Sequence, residues 1–97
     1  MNMQKLLKQA KEMEEKMKRE LTETVVEASV GGGLVKVSMN GHKHLLSVKL
    51  DPEGMDPEDP EMLEDLILSA VNEATRKVDD SLGRKFGSMA GALPNLF

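Results

Sequence analysis

Between residues 24 and 50 the chain changes its hydrophobic period, and that change restricts the available folds more than any other feature. Thr24, Val26, Ala28 and Val30 alternate with Glu23, Val25, Glu27 and Ser29, a period of two that sends each set to its own face of a strand. Gly31-Gly32-Gly33 interrupts the pattern. Val35, Val37 and Met39 then alternate with Lys36 and Ser38, and beyond Asn40-Gly41 the residues His44, Leu46, Val48 and Leu50 alternate with Lys43, Leu45, Ser47 and Lys49. Asn-Gly favours a two-residue type I′ turn, because both central positions need positive φ. The expectation is a three-stranded antiparallel meander with one more apolar face, which helix must cover.

Both flanks return to helical spacing. Met3, Leu6, Ala10, Met13 and Met17 step by three and four, with Leu7 and Leu21 widening the stripe, so a first helix is predicted from about Met3 to Leu21. The stripe fills an arc of roughly 120°, while Lys5, Lys8, Glu12, Glu15, Lys16 and Arg19 lie away from it. Its spacing suits a coiled-coil-like seam as well as docking on a sheet, and it reads as packing rather than as a lipid or cofactor surface. Asp51-Pro52 ends the sheet and opens an acidic loop, a stiff solvated connection. Asp59-Pro60 is a helix start, an N-cap carboxylate followed by proline at the first helical position.

The second helix carries Leu63, Leu66, Ile67, Ala70, Val71, Ala74, Val78 and Leu82 over an arc of roughly 160–200°, wider than one docking surface requires. Such a helix is buried on two sides, by its own sheet and most simply by a second copy of the chain. Gly83 is expected to end or loosen it. Residues 1–86 thus form one α+β domain, a two-layer α-β-β-β-α arrangement, and residues 87–97, rich in Gly, Ala and Pro, form a flexible tail not needed for folding or dimerisation.

With 97 residues the chain has room for a single core and a thin stability margin, which association would widen. It has no cysteine, which excludes disulfides and thiolate metal sites. No apolar run resembles a signal peptide or a membrane span, so the reading is a soluble cytoplasmic protein. The net charge of −4 speaks against a nucleic-acid partner until its distribution is considered. Eight of the seventeen acids lie between Asp51 and Asp65, where there is no Lys or Arg, so the remainder of the chain is net +4. Residues 1–19 hold six basic groups against three acidic ones.

Patterns that carry chemistry are missing. His42 and His44 share one predicted strand face beside a turn, but no third ligand sits in their segment, and they read as surface or half-buried histidines. The triple glycine precedes a strand, unlike a phosphate-cradling loop. Ser38 and Ser47 have no base and orienting acid arranged around them, and the acidic loop lacks calcium-loop spacing. Neither a catalytic residue, a cofactor, a metal nor a small-molecule substrate is expected. The only aromatics are Phe86 and Phe97, too few to stack single-stranded bases. Nucleic-acid binding would therefore rest on Lys and Arg meeting duplex phosphates. From charge alone the candidates are Lys5, Lys8, Lys16 and Arg19, with Arg76, Lys77, Arg84 and Lys85 weaker because Asp79 and Asp80 partly offset them.

Several stretches, in order along the chain, resemble one family. Gly32-Gly33-Leu34-Val35-Lys36-Val37-Ser38-Met39-Asn40-Gly41, with Leu46-Ser47-Val48-Lys49-Leu50-Asp51-Pro52 after it, resembles the glycine-rich hairpin of the YbaB/EbfC family. The run from Met62 to Ala74 is similar to that family's second-helix signature, and the Met-rich opening helix and Met89-Ala90-Gly91-Ala92-Leu93-Pro94 resemble its two ends. The resemblance implies a tight homodimer whose helices project like tweezer arms. It also implies binding of double-stranded DNA with altered conformation in the bacterial nucleoid, with regulatory roles and no enzymatic activity. The alternative from another class is a non-catalytic protein-interaction module acting through the apolar second helix or the acidic loop.

Overall fold

A computed structural model describes residues 2–87. Of the expected tail only Gly87 falls within that range, and the rest lies outside the described residues. Helix α1 spans Met3–Glu23, capped by the Asn2 side chain, which accepts from the Gln4 amide at 3.0 Å. It runs two residues past the expected end. Thr24, read from the alternation as the first strand residue, is its C-cap and donates its backbone N–H to the Glu20 carbonyl at 3.0 Å.

The meander follows as expected: β1 Val25–Val30, β2 Val35–Asn40 and β3 Leu45–Leu50, antiparallel in the order β1-β2-β3. Val26, Ala28 and Val30 pair with Met39, Val37 and Val35, placing the apolar residues on one face. Gly31, Gly32 and Gly33 all take positive φ, so the triple glycine forms a turn through a region that other residues enter at a cost of about 1–2 kcal/mol each.

The second turn differs from the expected two-residue type. It runs from Asn40 to His44, and the positive φ falls on Lys43, at 64°. The Asn40 carboxamide oxygen accepts from the amides of His42 at 2.9 Å and His44 at 3.1 Å. Asparagine here braces a longer turn from its side chain rather than supplying a left-handed backbone. A bulge follows, because Ser38 pairs with Ser47 while Met39 pairs with Leu45. The extra residue shifts the register by one. Leu45, and not Leu46, therefore shares the apolar face with Val48 and Leu50, and His44 lies before the strand rather than on it.

After a short 3₁₀ turn at Pro52–Gly54, helix α2 spans Pro60–Phe86, with the Asp59 carboxylate accepting from the Met62 amide at 3.1 Å. Helix geometry passes straight through Gly83, whose carbonyl accepts from the Gly87 amide at 2.9 Å. The residue costs helix stability but does not break it. Ala70, Ala74, Val78 and Leu82 form the buried seam, packed on Ala28, Val35, Val37 and Met39. The alanines let α2 approach closely, and each fully buried Val or Leu contributes about 1.5–3 kcal/mol.

Coverage of the sheet is partial. α2 packs chiefly on β1 and β2, and Val48 and Leu50 stay 45% and 39% exposed although they belong to the helix-bearing face. α1 contributes only its base to the packed structure: Leu21 packs against the core and the last turn meets the β2 end and the end of α2, and none of the helix's residues is buried. The described protein is consequently elongated, with principal extents of 68 × 21 × 17 Å.

Candidate nucleic-acid interface

Direction along α1 is set at its base. The Leu21 carbonyl accepts the Gly41 amide at 2.8 Å, and a Cβ at position 41 would stand 2.5 Å from that oxygen. Thr22 Oγ1 meets His42 Nε2 at 3.1 Å. On another side of the helix, the buried Thr24 hydroxyl donates to the Glu20 carbonyl at 2.6 Å and accepts from Lys85 Nζ at 2.6 Å, while Lys85 lies 3.5 Å from the Glu20 carboxylate. The hairpin tip and the end of α2 thus hold the last turn of α1, and the rest projects as an arm.

On that arm Lys5, Lys8, Lys16 and Arg19 are all exposed. At 100° per residue they fall in an arc of roughly 80°, opposite Met3, Leu6, Met17 and Leu21. Glu12 and Glu23 share the arc and Glu15 borders it, leaving it net positive. No ion pair engages these four cations among the described residues. The second-helix candidates are not brought into that surface as a set. Arg76 pairs with Glu73 on its own helix, Lys77 donates to the Glu27 carbonyl at the β1 edge at 2.8 Å, and Lys85 is engaged at the arm's base. Of that group only Arg84 is exposed with no partner among the described residues.

Charge is segregated along the molecule. Lys85 and Phe86, at the end of α2, line a shallow hollow with Met13, Lys16, Met17 and Glu20 of α1. The acidic stretch lies at the opposite end of the same 27-residue helix, about 40 Å away at 1.5 Å per residue. Physiological salt screens exposed charges beyond about 8 Å. An acidic chain therefore presents on its arm a basic face that the distant acidic stretch does not neutralise. Sequence reasoning set aside one further group: His42 and His44, exposed at the hairpin tip beside the arm's base, with ring centroids 5.8 Å apart and stacked at 26°. Only their adjacency to a turn was visible in the sequence. Among the described residues no three His, Asp or Glu side chains gather as metal ligands, and no helix is long and apolar enough to cross a membrane.

Fold and charge together define a small α+β module that carries a basic helical arm on a half-covered sheet. Its particular kind is settled by comparison. Residues 1–93 match the YbaB/EbfC DNA-binding family, and the chain belongs to that family. A nucleoid-associated protein of Pelotomaculum thermopropionicum is 46% identical, with 99% of this chain and 96% of that protein aligned. One from Acidobacterium capsulatum is 49% identical over 98% of this chain and 95% of its own length. The crystal structure of an uncharacterized Helicobacter pylori protein superposes with a TM-score of 0.67 at 26% identity, covering 87% of this chain and 98% of that one.

Proposed function

We propose that this DNA-binding protein works in the bacterial nucleoid as a homodimer, clasping double-stranded DNA by the phosphate backbone and altering its path, with no catalytic step. The observation that carries this reading is the arm itself, a 21-residue helix with no buried residue whose opposite faces are apolar and basic. Apolar surface of that kind is normally covered in a working assembly, and a second copy would cover it while pairing two basic faces on one particle. The second uncovered apolar surface, at β3 and the adjoining flank of α2, supports the same reading. Lys5, Lys8, Lys16 and Arg19 are the contacts assigned to the arm, with Arg84 as an outlying one. Arg76, Lys77 and Lys85 serve the fold first.

Phosphate contacts carry little sequence information, so binding is expected to be steeply salt-dependent and nearly indifferent to sequence. The measurement is equilibrium binding to two unrelated duplexes over a salt series, with a polyacidic protein as control. Retention of both duplexes at low salt, release at high salt and no retention of the control are the expected results. Equal retention of the control would instead favour a protein-interaction module.

A further inference from the structure

The hairpin tip is the feature that neither the fold nor the arm uses up. His42 and His44 are the chain's only histidines, both are exposed, and their rings stack at 5.8 Å. His42 reaches Thr22 of α1 at 3.1 Å, so the pair sits against the arm rather than at a remote loop. Thr22 is three residues beyond Arg19, and residues at that spacing are neighbours on a helix surface. The pair therefore borders the basic arc at its inner end. The acidic stretch is far from it, since the other end of the sheet is the one near the start of α2, where Gly31 approaches Leu66.

Charges around the pair nearly balance. On α1, Lys18 is paired with Glu14 at 3.3 Å, Arg19 lies three residues before Thr22, and Glu23 follows it. Within the turn, Lys43 is held by Asp79 of α2 at 2.8 Å. The three cations and three anions leave the local charge to the imidazoles, and imidazole is the side chain that changes charge between about pH 5 and pH 8. A phosphate laid across the two stacked rings can accept a charge-assisted N–H bond from each.

We infer that His42 and His44 at the β2–β3 hairpin tip form a second, proton-linked contact for the DNA backbone, continuous with the basic face of α1. This contact rests on the DNA-binding reading above and adds to it a pH dependence that lysine and arginine cannot supply. DNA binding takes up protons at the tip, so by linkage affinity rises as pH falls through the imidazole range.

The test is binding of the full chain to one random duplex at pH 8 and pH 6, at matched ionic strength. Wild type is expected to bind about tenfold more tightly at pH 6, the scale of one charge-assisted hydrogen bond. It should also show a steeper salt slope there. In H42Q/H44Q the ratio of the two affinities should collapse to about one. In H42K/H44K, charged at both pH values, the ratio should also approach one, with the pH 8 affinity raised; this variant keeps the test valid should glutamine disturb the turn. A wild-type ratio near one, or an unchanged ratio in H42Q/H44Q, overturns the proposal while leaving the arm's role intact. Absence of duplex binding by wild type at both pH values and low salt overturns the DNA reading itself.

Discussion

Gly41 shows how one residue fixes the geometry on which the interface depends. Asn40-Gly41 was legible as a turn, and a turn is there, but glycine is required for another reason. Its φ is not positive; what it permits is contact between the hairpin and the last turn of α1, where a Cβ would fall 2.5 Å from the Leu21 carbonyl oxygen and 2.8 Å from the Leu21 Cα. Both obstacles are backbone, so neither can rotate away. Gly41→Ala is expected to destabilise the protein by about 1–3 kcal/mol, as overpacking does, and to displace the arm from the hairpin. Urea denaturation reads the first effect, and loss of the Leu21–Gly41 amide's hydrogen-exchange protection reads the second. Stability within about 0.5 kcal/mol of wild type, the usual range for surface substitutions, would show that the approach is not close in solution. No period or propensity carries this information, because it depends on two segments twenty residues apart meeting in space.

At the scale of elements, the change of period between helix and strand located both helices and all three strands, and the Asp59-Pro60 signal marked the start of α2. The misplaced details share a cause. Thr24 alternates correctly with Val26 but its backbone N–H is taken by Glu20, and the β3 faces were offset by a bulge that a strict alternation cannot reveal. Periodicity also showed that α1 has an apolar stripe without showing what covers it. Among the described residues only the base of the stripe is packed, by Leu21 against the core and Met17 beside Phe86, and the four cations of the basic arc behind it make no ion pair. Each duplex phosphate neutralised releases condensed counterion and contributes about −0.9 to the slope of log K against log salt. Changing Lys5, Lys8, Lys16 and Arg19 together to Gln should therefore flatten that slope by up to about 3.6 per arm that engages fully and weaken unrelated duplexes alike. All four are exposed and outside the core, so the thermal midpoint should move little. Wild-type slope and affinity in the folded quadruple variant would remove this face from consideration.

The whole molecule explains why α2 has too wide an apolar arc. Its seam through Ala70, Ala74, Val78 and Leu82 is satisfied by β1 and β2, but Val71 and Leu68 continue around the helix on the flank where Thr75 meets Met39 of β2. That flank turns toward β3. Leu68 is 60% exposed there, and Leu45, Val48 and Leu50 lie uncovered on the facing strand. These exposed apolar side chains lie along an open sheet edge, a hazard on a lone monomer. On the proposed homodimer reading, a second copy would cover them by the same surface on both sides, the arrangement closed twofold dimers use. Wild type is expected to sediment as a dimer throughout the micromolar range. Val48→Lys with Leu68→Lys puts two charges per copy into that surface, where they must either desolvate or keep the copies apart. Since both side chains are already substantially exposed, the variant should fold, retaining its helical circular dichroism, yet sediment as a monomer. It should also bind duplex DNA more weakly at every salt concentration, because one basic arm replaces two. A monomeric wild type, or a variant that remains as dimeric as wild type, would assign the patch to some other partner and leave each arm to bind DNA alone.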